Sequence, residues 1–160
     1  MSDLVKVRFT LDPTDWHGTA SEGLWAEPIE GAAASDVFCL QNSPFFACGV
    51  SYLDIVRAVR PPGARDFEFA GALDRSGHST YMLLVPPDSS DFADYWKQLA
   101  SHGCTYESAT VHVAWGLRNL YSVDVPPSAD IYAVCAVLHQ GERDSIWRVQ
   151  EGHVGHALKA

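Results

Sequence analysis

The densest polar chemistry in the chain lies in Asp74-Arg75-Ser76-Gly77-His78-Ser79-Thr80, where an arginine, two serines, a threonine and a histidine surround one glycine. An imidazole in that setting is a candidate general base or proton donor near neutral pH. Gly77 lets the backbone bend tightly, and Ser76, Ser79 and Thr80 offer hydroxyls to a ligand. The competing reading is a structural turn in which His78 bonds a backbone carbonyl. Two carboxylates are candidate partners for the imidazole. Glu22 stands just before Trp25 in a strand, and a carboxyl group beside an indole can have a raised pKa and act as an acid. Its competing reading is an exposed charge at a strand end. Asp54 has the same standing. An acid/base pair exists only if the fold brings one of them to His78.

Other chemistry is weaker. His153 and His156 form an HxxH, which would present two metal ligands on one helix face. Gly141, Gly152 and Gly155 argue against a helix there, so a tail or a lid over the first half is the better expectation, and no metal site is expected. Cys104 follows Gly103 and Cys48 precedes Gly49, but a nucleophilic thiol needs a nearby imidazole or a helix N-terminus. His102, beside Cys104, sits at a helix C-terminus, where the dipole disfavours a thiolate. The chain has no Walker A loop, GxGxxG, GxSxG or HExxH. No cofactor is expected.

The bulk composition bounds the class. The chain has 160 residues, 47% of them hydrophobic and 19% charged, which suits one domain or two small halves sharing a core. The net charge of −9 disfavours a general nucleic-acid binder, because phosphate contacts need clustered Lys and Arg. Only Arg57, Arg60 and Arg65 come near to clustering. Cys39, Cys48, Cys104 and Cys135 include no CxxC pair, the N-terminus lacks signal-peptide character, and no apolar run approaches a membrane span. The expectation is a reducing, cytoplasmic compartment with free thiols.

The elements that must position these groups follow from periodicity. Val5, Val7, Phe9 and Leu11 alternate with polar residues, as in a half-buried strand. Further strands are expected over Glu22 to Ile29, with Leu24 and Trp25 as its bulk, then Asp36 to Leu40, Asp54 to Val59 and Phe67 to Leu73. Glu30-Gly31 reads as a turn and Ala32-Ala33-Ala34 as a loop. Pro44, with no amide proton, marks an edge, bulge or turn before Phe45-Phe46. Five short strands with tight turns suggest a small SH3-like β-barrel over residues 1–75.

From residue 76 to 160 the pattern changes. Thr80 to Val85 is a near-continuous apolar run, as in a central strand. Ser89 or Ser90 would cap a helix carrying Phe92, Tyr95, Trp96 and Leu99, with Gly103 after its end. Tyr106 to Trp115 reads as a strand with Val111, Val113 and Trp115 on one face, and Gly116-Leu117-Arg118 as the turn into Asn119 to Val125. Ser128 would cap a second helix with Ile131, Val134, Cys135 and Leu138 as its buried stripe and Gly141 as its end. Ile146 to Val149 is the last strand. The order βαββαβ predicts a ferredoxin-like sandwich, and the whole chain an α+β protein expected to form one compact unit. The sheet face away from the helices, expected to carry Trp147 or Met82, needs a cover, and the first half is the expected one.

The chain resembles an uncharacterised bacterial family, the domain-of-unknown-function family 4265. The resemblance rests on Val7-Arg8-Phe9, Glu22 with Leu24-Trp25-Ala26, Asn42-Ser43-Pro44-Phe45-Phe46, Asp54-Ile55-Val56, Ser76-Gly77-His78-Ser79-Thr80, Val123-Asp124-Val125-Pro126-Pro127, and Glu151-Gly152 with His156. Leu53 departs from it, since the family often has Gly-Asp there. The resemblance implies no settled activity.

Two functions remain open on these residues. The first is a binding or regulatory protein that recognises a protein partner or a small ligand where the two halves meet, in the manner of a regulator or a toxin-neutralising immunity protein. Its contact residues would come from Ser76, Ser79, Thr80, Trp25, Asn42, Phe45 and His156, with Phe46 and Trp115 as further aromatics. The second is a small cofactor-independent enzyme that uses His78 with Glu22 or Asp54. A concave pocket floored by His78 and a carboxylate would favour the enzyme; a filled junction would favour the binder.

Overall fold

The computed structural model describes residues 3–29 and 36–159. The expected turn at Glu30-Gly31 and loop at Ala32-Ala33-Ala34 lie outside these residues. The described residues form nine strands and two helices in two sheets, an α+β arrangement that is mostly β.

The first sheet contains β1 (Val5–Thr10), β2 (Ser21–Pro28), β3 (Val37–Leu40), β4 (Ile55–Val59) and β5 (Phe67–Asp74). Alternation places Val7 and Phe9, Leu24 and Ala26, Phe38 and Leu40, and Val56 and Ala58 in one core, joined by Ala47 and Val50 from the β3–β4 connection. Consecutive strands pair antiparallel, and β1 also pairs parallel with β5 at Val7–Phe67 and Arg8–Glu68, so each strand has two neighbours. Trp25 was expected to supply bulk to this core, but alternation turns it outward beside buried Leu24, under the Lys6 ammonium 5.0 Å from its ring.

The second sheet contains β6 (Ser79–Val85), β7 (Thr105–Val113), β8 (Gly116–Val125) and β9 (Arg148–His153), in the order β7-β8-β6-β9. All its pairings are antiparallel. Every residue of central β6 is buried. Helices α1 (Phe92–Ala100) and α2 (Ile131–Arg143) leave and rejoin the sheet and pack on the face formed by Tyr81, Leu83, Val85 and Val123. Leu99, Ile131, Val134 and Leu138 supply their buried stripe, while Cys135 is only half-buried.

Several local expectations are corrected. Helix α1 begins after Asp91 with no side-chain cap, rather than at Ser89 or Ser90. Helix α2 is capped by Asp130, which accepts from the Tyr132 and Ala133 amides, rather than by Ser128. Trp115 lies in the β7–β8 turn, and Gly116-Leu117-Arg118 already belongs to β8. Gly141 does not end α2. It lies inside the helix where Trp147 crosses, and a Cβ there would come within 2.3 Å of the indole. Trp147 therefore packs on the helix side of the sheet, its Nε1–H donating to the Leu138 carbonyl at 2.9 Å, and β9 starts only at Arg148.

Met82 does lie on the opposite face, with Leu84 and Leu120. Trp16, Phe45 and Phe46, all from the first half, pack against these three. The two sheets thus share an apolar contact, and the β3–β4 connection is the segment that makes most of it.

Candidate functional site

The β3–β4 connection is held against the second sheet by polar groups with little access to water. Asp54, fully buried, accepts from the Ser51 amide at 2.9 Å and the Ser76 amide at 2.9 Å, and pairs with the Arg75 guanidinium at 3.1 Å. Arg75 also donates to the Gly49 carbonyl at 2.6 Å, and the Ser76 hydroxyl to the Tyr52 carbonyl at 2.7 Å. The Ser51 and Thr80 hydroxyls meet at 2.7 Å in a buried contact, and the Ser122 hydroxyl donates to the Pro44 carbonyl at 2.6 Å. Just before Asp54, Leu53 has a φ of +66°, a region that disfavours a side chain by about 1 kcal/mol. A glycine would fit there without that cost, which explains why Gly-Asp suits this turn.

Glu22 holds the same connection from the other side. Its carboxylate accepts from the amides of Phe45 at 2.6 Å, Phe46 at 3.1 Å and Ala47 at 2.8 Å. Asn42 completes the set: its carbonyl accepts from the Trp25 amide at 2.9 Å, and its amide donates to Glu107 of β7 at 3.4 Å. Phe45 and Phe46 are half-buried against the sheet, so of the four aromatics expected as contacts Trp25 and Trp115 are exposed.

Neither Glu22 nor Asp54 hydrogen-bonds His78. The carboxylate that does is Asp124, which brings its oxygens within 2.8 and 3.0 Å of the His78 Nδ1. Gly77, with a φ of +90°, turns the chain so that His78 faces β8. With Asp124 ionised, Nδ1–H donates and Nε2 is left as the basic nitrogen. Tyr52 lies edge-on to the imidazole, ring centroids 5.3 Å apart. Burial pushes the Asp124 carboxyl above its ordinary value, and the charges of His78 and His156 and the His78 hydrogen bond only partly offset this.

That shift has a measurable consequence. A carboxyl group with a raised folded-state pKa binds protons more readily in the native chain, so its contribution to stability is full below the unfolded value of 3.8 and is lost as pH rises through the folded pKa. Relative to Asp124→Asn, the native protein is expected to gain stability as pH falls through that window, read from urea midpoints of both proteins at several pH values. A pH-independent difference, or one of opposite sign, would contradict the burial argument.

Ser79 and His156 form a second cluster. The Ser79 hydroxyl lies 2.6 Å from the His156 Nδ1 and accepts from the Gly155 amide at 2.9 Å, and the His156 Nε2 meets the Pro126 carbonyl at 2.9 Å. Ser79 is fully buried, so this cluster fastens the C-terminal segment to β6 and β8. His153 ends β9, while His156 has both ring nitrogens occupied. Among the described residues no group of three or more His, Cys, Asp or Glu is arranged to hold a metal ion. Cys104 is buried and its thiol is pushed up to about 12, chiefly by burial, which leaves no thiolate for catalysis at neutral pH.

Space is distributed unevenly. The recess beside Asp124, lined by Gln41, Ser43, Tyr52, Thr105, Glu107 and Ser122 among others, holds about 90 Å³. A larger open groove of about 440 Å³ is lined by Leu84, Trp115, Arg118, Glu142, Trp147 and Arg148 among others. It adjoins a recess of about 240 Å³ that shares Leu84, Trp115, Glu142 and Arg148 and adds Trp16, Met82 and Gln150. The Arg148 guanidinium stacks 4.2 Å from the Trp115 ring centroid. Among the described residues neither Arg118 nor Arg148 has a carboxylate partner within 4.0 Å. Sequence reasoning missed Asp124, Tyr52, Arg118 and Arg148. Only Asp124 left a signal, as a lone charge in the apolar run Val123-Asp124-Val125.

Among the described residues no helix is long and apolar enough to cross a membrane. No curated protein matches the chain. A solved structure described as a novel crystal structure of a hypothetical protein from Neisseria gonorrhoeae is similar over 98% of both chains, with a TM-score of 0.73 and 20% sequence identity. At that identity the likeness concerns the fold. A family model described as a domain of unknown function (DUF4265) matches residues 22–149, most of the sequence and most of the segments that hold the two sheets together, and the chain belongs to that family.

Proposed function

We propose that this chain is a binding protein that recognises a partner protein at the margin where its two halves meet. The observation that carries the reading is how the junction is filled. Glu22 and Asp54 are spent on backbone amides, and the recess beside Asp124 and His78 holds about 90 Å³. Pockets that accept organic substrates are roughly 300–1,000 Å³. The groove around Trp115 falls in that range, and the smaller recess adjoining it is bordered by the first half's Trp16. Its chemistry favours a partner segment that offers an apolar side chain to Leu84 and Trp115 and a carboxylate to Arg118 and Arg148.

The fold reading that accompanies this proposal is an SH3-like barrel followed by a ferredoxin-like sandwich. The ring of pairings from β1 to β5 supports the first, and the strand order β9-β6-β8-β7 with both helices on one face supports the second. The test is an amide-resolved NMR titration with pooled acidic, neutral and basic peptides. Acidic peptides are expected to shift residues 115–118 and 148–150, and Arg118→Ala with Arg148→Ala to abolish the shifts. Shifts gathered instead at His78 and Asp124, produced by small organic ligands, would favour acid/base catalysis and overturn the proposal.

A further inference from the structure

The two edges of the second sheet are treated differently. At β9 the outer backbone is occupied: the Val149 amide donates to Glu142, and the Gly152 carbonyl accepts from the Gly49 amide at 2.9 Å. The pairing of β9 with β6 is also broken by a register shift, and the strand is six residues long. These are the devices that keep an edge from pairing further.

At β7 none of them is present. The strand runs nine residues, Thr105 to Val113, in unbroken register with β8. It contains no Lys, Arg or Pro. Among the described residues no hydrogen bond reaches its outer backbone groups, and six of its nine residues are exposed. Tyr106 is 42% exposed on this strand although it packs against Trp96. An open, regular edge of this length, roughly 30 Å, is a template for another strand.

We infer that β7 pairs antiparallel with β7 of a second copy, joining the two four-stranded sheets into one of eight strands. Two copies related by a twofold axis perpendicular to the sheet must centre on one residue, and full overlap of Thr105–Val113 centres on Ala109. That register sets Tyr106 opposite the second copy's His112, Ser108 opposite Thr110 and Glu107 opposite Val111. The aromatic and hydroxyl pairs are favourable cross-strand neighbours. The strand's only carboxylate faces a valine rather than its own copy, so no like charges meet. A register centred on Glu107 would oppose two carboxylates and shorten the overlap. The sequence of β7 is therefore complementary to itself in the one register that uses the whole edge.

Sedimentation velocity over a range of concentrations tests this. The native protein is expected to sediment with twice the mass of the 17.5 kDa chain. Ser108→Lys combined with Thr110→Lys opposes two pairs of ammonium groups across the contact, and should give a monomer with unchanged circular dichroism and unfolding midpoint. Ser108→Glu combined with Thr110→Lys opposes unlike charges at the same positions, and should restore the dimer. A native protein that stays monomeric at every concentration would overturn the inference. So would a double-lysine variant that remains a dimer.

Discussion

Replacing Asp54 with alanine is expected to lower the folding free energy by about 4 kcal/mol, because it strips the acceptor from two amides and one guanidinium at once. The Ser51 amide is buried and has no route to water, and the Ser76 amide is partly buried. Arg75 is nearly half exposed and can be solvated, so the loss falls mainly on the amides. Asp54→Asn keeps one oxygen acceptor but turns an NH₂ toward the second donor, and should cost about half as much. Urea denaturation at neutral pH reads both. The turn at Ser76-Gly77 should loosen with it, seen as faster hydrogen exchange over residues 76–80. A change within about 0.5 kcal/mol, the usual range for surface substitutions, would show that the carboxylate is not what fixes this turn.

Glu22→Ala carries the second largest effect, about 3 kcal/mol by the same physics. Three consecutive amides, Phe45 to Ala47, lose their shared acceptor, and Ala47 is buried. The consequence is specific to one place. Phe45 and Phe46 are held on Met82, Leu84 and Leu120 by that carboxylate, so exchange should rise over residues 43–50 before it rises in β6 or β8. Glu22→Gln should be intermediate, since its amide group opposes one of the three donors. Uniform loss of protection across both sheets would instead mean that the two halves unfold together and that Glu22 acts globally. Both carboxylates were candidates for acid/base work. Their geometry gives them a different task, the fastening of one connection to a sheet.

The fold was legible where the signal is local. The alternation of Val5 to Leu11, the apolar run of Thr80 to Val85 and the helical spacing of Ile131, Val134 and Leu138 each report burial of a face by residues close in sequence. Even the need for a cover over Met82 could be read, since an apolar residue on a second face of a sheet demands one. Boundaries were less legible. Ser128 and Asp130 are both good caps, and only the path of the chain into α2 decides between them. Trp115 continued an alternating pattern, but the β7–β8 hairpin turned just before it.

The sequence by itself determined the alternation of strands and helices and their order, the family, and the polar character of the segment around His78, because each depends on neighbours within a few residues. The tertiary structure alone decided which carboxylate meets the imidazole, that Glu22 and Asp54 serve amides, and which sheet edge stays open. Asp124 meets His78, 46 positions away, because the pairing of β6 with β8 sets Asp124 opposite Thr80 beside the end of the strand that His78 precedes. Short-range patterns carry no trace of such a pairing, because a charge in a strand looks the same whether its partner is water, an amide or a ring nitrogen brought in by register.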